Sequence, residues 1–293
     1  MDTKGSISTA AVVVNGILMV LKVGVGLAVG SVAMISDGIH SATDMLSALL
    51  SWLTIRISGR PADCCHPYGH QKYENLAALA QGVMVLAAGV IIGREAIMRL
   101  LAPQPLAGMG WGMVVTLVSI GAHTLVCSRM LRIARQTHSP ALKGNALHML
   151  TDIGSSLAVL IGLILTRLLG WLAADAVAAL LVTGLVFWGA VKLVGEAIRD
   201  LVDSGIEPAE YRYVVDTLHR HTPPLVGYHK LRTRRVGQFR YLEAHLEVDG
   251  ALSVEQAHLL CTHLEKHICQ RIPGSRLLFH VEPAVQQKIN DNS

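Results

Sequence analysis

Charge is what this sequence has least of. Only 16% of its 293 residues are Asp, Glu, Lys or Arg, while 52% are hydrophobic. Soluble domains carry about a quarter charged residues. A soluble fold of this length would need more charge on its surface, so the shortage points to lipid as part of the solvent. Five cysteines are too few for a disulfide scaffold. The apolar content excludes disorder. A net charge of +4 is too mild for a nucleic-acid surface and, divided by region, reads as membrane orientation. No internal repeat or low-complexity segment is evident. No small-residue cleavage site follows the first apolar run, which therefore reads as a retained span.

Six stretches are long enough to cross a bilayer, which takes about 20 helical residues. They run over 10–35, 37–57, 76–101, 110–130, 145–169 and 172–196. A tight connection near Ser36 is expected to make the first two a hairpin. Basic residues favour alternate loops. Lys4 precedes the first stretch. Arg56, Arg60 and Lys72 lie between the second and third, Arg129, Arg132, Arg135 and Lys143 flank the loop between the fourth and fifth, and Arg199 follows the sixth. The positive-inside rule then places both termini in the cytoplasm.

The composition changes after about residue 203. Residues 207–221 read as a helix, stopped by Pro223 and Pro224. Residues 228–235 read as a strand. In 239–248, Leu242, Ala244, Leu246 and Val248 alternate with Tyr241, Glu243, His245 and Glu247, the period of a half-buried strand. Ser253 and Gln256 fit a capping box opening a helix to about 271, and 276–282 fit a last strand. The expected fold is a membrane all-α six-helix bundle over 1–203, an α+β domain (α-β-β-α-β) over 204–285, and a disordered tail over 286–293.

Ionisable side chains inside membrane spans are costly and mark function. The second stretch contains His40 and Asp44, and the fifth contains His148 and Asp152. Each pair is spaced i, i+4, one turn apart on one helix face. Facing each other, the two helices would present two imidazoles and two carboxylates, the nitrogen and oxygen donors of a tetrahedral Zn²⁺ site. An isolated His-x-x-x-Asp serves equally well for interhelical hydrogen bonding; two copies in separate spans favour a metal. One tension stands: His40 and Asp44 sit toward the outer end of their span, His148 and Asp152 toward the inner end of theirs. Asp37 lies on the face of His40. Lys22, His123 and Asp175 have no evident partner in the sequence. Gly26/Gly30 and Gly89/Gly93 are spaced for close helix contacts.

Between the second and third stretches, Asp63, His66 and His70 have chelating spacing, with solvated loop residues the alternative. Cys64 and Cys65 between them face a reducing cytosol, so a disulfide is not expected; thiolate ligation and small-residue filler are equal alternatives. The tail holds His219, His221, His229, His245, His258, His263, His267 and His280. That density suggests regulatory metal binding.

These residues carry a resemblance. SDGIHSATDMLSALLS, PADCCHPYGHQKYENLAALAQ, NALHMLTD, HKLRTR, AHLEVDG, AHLLCTHLE, RIPGS and FHVEP follow one another along nearly the whole chain. In that order they resemble the cation diffusion facilitator family, in its bacterial zinc and ferrous-iron efflux group. The resemblance implies a homodimeric, proton-coupled exporter of divalent metal in the bacterial inner membrane, with a metallochaperone-like cytoplasmic domain. It implies that His40, Asp44, His148 and Asp152 form the transport site, that Asp63, His66 and His70 form a loop site, and that His229, His245, His258, His280 and Glu282 form a dimer-bridging cytoplasmic site. Lys72 and Asp203 match an ion pair that holds the dimer. The chain departs from its nearest relatives in carrying His40 where they carry aspartate, which is closer to the zinc-selective branch. Glu282 replaces the usual aspartate, and Cys64 and Cys65 replace polar residues.

The expected substrate is Zn²⁺, with Fe²⁺, Cd²⁺ and Co²⁺ as alternatives, and zinc is also the expected regulatory ligand. Ligands bind metal only when deprotonated, so metal and protons compete naturally for such a site. The expected partners are a second copy of the chain, lipid, metal and protons, and no nucleic acid. No enzymatic activity is expected. An intramembrane metalloprotease would need an H-E-x-x-H helix, which no span contains, and an open metal position. A membrane-anchored metal sensor or chaperone would not need paired ligands in two spans. A channel would pass metal independently of the proton gradient.

Overall fold

The computed structural model describes residues 3–29, 32–101, 111–169, 174–221 and 224–284. They form two compact units, Met1–Arg199 and Asp200–Ser293. The expected tail over 286–293 lies outside the described residues.

The first unit is built from six long helices: α1 (Thr3–Val29), α2 (Val32–Ser58), α3 (Lys72–Leu101), α4 (Trp111–Thr137), α5 (Pro140–Leu169) and α6 (Ala174–Leu201). Among the described residues, α1, α3, α4 and α6 each contain a segment long and apolar enough to cross a membrane. The other two, α2 and α5, hold the His/Asp pairs. Ser36 is not a turn but lies inside α2; α1 ends at Val29 and α2 begins at Val32. The apolar stretch does not locate the helix end, because Val32, Ala33, Met34 and Ile35 prolong it beyond the start of α2.

Helices α1, α2, α4 and α5 share a core that includes Ala11, Ala48, Ala134, Ala141 and Ala146, together with Met130, Leu142 and Met149. Small side chains let helices approach closely where lipid offers no hydrophobic drive for association. Gly144 of α5 takes this furthest, since a Cβ there would meet Gln81 and the backbone of Ala78 on α3. Gly89 and Gly93 of α3 face Phe187 and Thr183 of α6, so this glycine pair serves packing within one chain. Gly26 and Gly30 lie outside the residues whose side chains are described.

The second unit runs α7 (Pro208–Arg220), β1 (Leu225–Val236), β2 (Phe239–Val248), α8 (Val254–Arg271), β3 (Ser275–Pro283), the expected order. The sheet order is β1-β2-β3, with β1 and β2 antiparallel and β2 and β3 parallel. Leu242, Ala244, Leu246 and Val248 of β2 pack with Val214 and Leu218 of α7 and Leu260, Leu264 and Ile268 of α8. The polar alternates of β2 other than the buried Tyr241 are left on the uncovered face.

Ser253 caps α8. Its hydroxyl accepts from the Gln256 amide while the Gln256 side chain accepts from the Ser253 amide. Ser253→Ala should cost about 1 kcal/mol locally, read as roughly five-fold faster amide exchange in the first turn of α8.

Candidate metal centres

Asp44 and His148 meet inside the first unit. His148 Nε2 lies 3.0 Å from Asp44 Oδ1, and both side chains are buried. One ligand atom from each of Asp44, His148 and Asp152 falls within 4.8 Å of the others. His148 Nδ1 has no hydrogen-bond partner among the described residues. The tension over depth disappears because both helices extend beyond their apolar stretches. Starting at Val32, α2 brings Asp44 near its middle; starting at Pro140, α5 carries His148 and Asp152 inward from its first turns. His40 lies on α2 one turn before Asp44, and its side chain, like that of Asp37, is outside the described residues.

The helices around this centre are joined by groups that the sequence left without partners. Lys22 of α1 donates to Ser41 Oγ at 3.0 Å. His123 of α4 lies 3.2 Å from Asn15 Oδ1, and Asn15 Nδ2 donates to the backbone carbonyl of Asp44 at 3.1 Å. So Lys22 and His123 do have partners, and Asn15 was missed. A lone amide in an apolar run gives no sign of what it holds.

Glu74, in the first turn of α3, is a second buried junction. Lys4 Nζ and Ser58 Oγ donate to its Oε1 at 3.2 and 2.8 Å, and Ser139 Oγ donates to its Oε2. Ser139 also accepts from the Leu142 amide, and Pro140 opens α5, where its missing N–H costs nothing.

In the loop after α2, Asp63 Oδ1 accepts from the amides of His66 and Cys65 at 2.7 and 3.0 Å and lies 3.2 Å from His66 Nδ1. The His66 amide bond is the main reason the Asp63 carboxyl sits below the usual aspartate range. His70 Nε2 lies 3.4 Å from Asp63 Oδ2; the ring is buried, and its Nδ1 has no partner among the described residues. Asp63, His66 and His70 thus converge as their spacing suggested. Cys64 and Cys65 are free and exposed, with sulfurs 3.9 Å apart.

On the uncovered sheet face, the register pairs His229 with His245 and His245 with His280, so three histidines form one rung across three strands. The next rung on the same face is Gly227, Glu247 and Glu282. Glu282 reaches His229 Nε2 at 3.1 Å, His245 Nδ1 at 3.2 Å and His280 Nε2 at 3.7 Å. Glu247 accepts from His229 Nδ1 at 3.0 Å and was missed, although its place on the polar face of β2 was readable. Gly227 leaves room for this carboxylate, since a Cβ there would come 2.8 Å from Glu247 Oε2 and make the side chain shift. His229, His245 and Glu282 converge tightly enough to chelate. His258 is exposed on α8 and is not gathered with them. Asp203 Oδ2 accepts from Arg234 at 3.4 Å.

The hydrogen bond from His245, with the charges of His229, His245 and His280 nearby, holds Glu282 below the usual glutamate range. A depressed carboxyl contributes to stability above its unfolded value and loses that contribution only as pH falls through the lower folded one. Between pH 7 and 5 the carboxylate therefore stays charged and available to a metal. Glu282→Gln should weaken zinc binding at pH 7 by on the order of ten-fold or more. A zinc titration of the two proteins at that pH checks it.

Residues 8–202 match the family model described as the cation efflux transmembrane domain, and 206–284 match that of the cation efflux protein cytoplasmic domain. The chain is 32% identical over 274 residues to the cation-efflux pump FieF of Escherichia fergusonii, spanning 94% of this chain and 91% of that one. It is 32% identical over 278 residues to the FieF of Serratia proteamaculans, spanning 95% and 92%. A solved metal-bound C-terminal domain of the CzcD transporter from Thermotoga maritima is 30% identical, with a TM-score of 0.26, and covers 28% of this chain and 100% of that one.

Proposed function

We propose that this chain, which belongs to the cation efflux family, exports Zn²⁺ from the cytosol in exchange for protons through His40, Asp44, His148 and Asp152. It is a multi-pass membrane transporter of cations, not an enzyme. The observation that carries the finer reading is the convergence of Asp44, His148 and Asp152, each donating one ligand atom within 4.8 Å of the others. Two carboxylates offset the charge of a divalent ion, and imidazole suits zinc among first-row metals. Zinc binding must displace protons from such a set, and reprotonation from the far side must release zinc. Rocking of the helices around a fixed mid-membrane site is the expected form of the cycle.

The same reading places the protein in the bacterial inner membrane as a homodimer with both termini in the cytoplasm. Zinc at Asp63, His66 and His70, and at His229, His245, His280 and Glu282, would act as a regulatory ligand, with His258 reaching the second set from elsewhere in the dimer.

Zinc uptake into everted vesicles under an imposed proton gradient tests the proposal. Uptake should follow the gradient and exceed that of Fe²⁺, Cd²⁺ and Co²⁺. Uptake that ignores the gradient would indicate a channel. Full function after replacement of both His/Asp pairs would indicate a membrane-anchored sensor.

A further inference from the structure

The cytoplasmic unit gathers a second set of histidines on the helix side of its sheet. His221 is the C-cap of α7, and His263 and His267 stand on successive turns of α8. Their ring centroids are 5.7 Å apart for His221 and His263, 5.3 Å for His221 and His267, and 4.9 Å for His263 and His267. One ring nitrogen of each lies within 4.8 Å of the other two. His229, His245 and Glu282 occupy the opposite face, so the sheet separates the two sets.

The local hydrogen bonding prepares His221 as a ligand. Its Nδ1 lies 2.7 Å from the Thr217 carbonyl oxygen. A carbonyl only accepts, so Nδ1 carries the proton and Nε2 keeps its lone pair. Metal-bound histidines are commonly oriented in this way through their second nitrogen. Tyr213 of α7 donates to the His267 carbonyl at 3.4 Å, tying the two helices together beside the rings. His263 and His267 are exposed, so ions reach them from solution.

We propose that His221, His263 and His267 form a further divalent transition-metal site, holding Zn²⁺ with water as the fourth ligand. Three neutral imidazoles suit Zn²⁺, Co²⁺ and Ni²⁺ and give little to Mg²⁺ or Ca²⁺, which take oxygen ligands. Three protein ligands leave a tetrahedral ion one open position, so the site exchanges its metal. A bound ion links the end of α7 to the middle of α8.

The test uses metal-stripped full-length protein in nanodiscs with Zn²⁺ alone as probe, and needs no transport. Equilibrium dialysis of a His263→Ala/His267→Ala variant should find one zinc fewer per chain than the parent. The same decrement should appear in a background lacking His229, His245 and Glu282. An equal count with and without the two substitutions overturns the proposal. A second measurement avoids any folding defect of the variant. In the wild-type chain, sub-stoichiometric to saturating zinc should protect His221, His263 and His267 together from diethyl pyrocarbonate, read residue by residue by mass spectrometry, while equal Mg²⁺ should not. Modification of the three that zinc leaves unchanged overturns the proposal whatever the variant shows.

Discussion

Asp44→Ala should abolish zinc transport. The carboxylate is buried against His148 Nε2 at 3.0 Å and converges with Asp152. Removing one partner of a buried charged pair costs about 3–5 kcal/mol, on the order of a hundred-fold or more in an equilibrium constant. Two effects add: the metal loses an anionic ligand, and the imidazole loses the acceptor that orients it. Asp44→Glu keeps the charge but displaces it, and should retain a fraction of the flux. Asn15→Ala removes the donor to the Asp44 backbone carbonyl and the partner of His123 but no ligand atom, so its loss should be smaller and should leave metal preference unchanged. Initial rates of zinc uptake in everted vesicles, normalised to protein in the membrane, measure all three. A wild-type rate for Asp44→Ala would remove Asp44 from the site.

The second large effect is on stability. Glu74 is buried and receives Lys4 from α1, Ser58 from the end of α2 and Ser139 from the start of α5. Glu74→Ala strips three donors of their acceptor at once, at a cost of about 3–5 kcal/mol. For a unit of this size that is a fall of roughly 10 °C in the unfolding temperature. Glu74→Gln keeps an acceptor oxygen for one of the two hydroxyls and loses the ion pair with Lys4, so its fall should be smaller. Thermal unfolding in detergent at fixed zinc separates the three proteins. A midpoint for Glu74→Ala within about 2 °C of wild type would show that the junction is dispensable.

Much of this was readable in the sequence because the signals are local. The i, i+4 His/Asp pairs, the alternation of β2 and the capping box at Ser253 each depend on residues within a turn or two. What escaped depends on contacts between distant segments. Glu74 is one acid at the start of a helix until the fold brings Lys4 and Ser139 to it. Asn15, His123 and Glu247 are ordinary polar residues until their partners are placed. His221 is separated from His263 by the whole of β1 and β2. The break between α1 and α2 was misplaced at Ser36 because the ionisable residues that begin at Asp37 lie within the helix, not at its end.

The histidine rung has a consequence for how the sheet assembles. Side chains alternate faces along a strand, so a slip of one residue reverses every one of them. Slipping β2 by one position would turn His245 into the space filled by α7 and α8, and no ion could then bridge three strands. The partnering of His229 with His245 already depends on irregularities in β1 on either side of it. An ion that binds only the correct alignment stabilises it by mass action. A metal ion at this face would thus act as a second proofreader of strand alignment, selecting the same pairing that burial of Leu242, Ala244, Leu246 and Val248 selects from the other side.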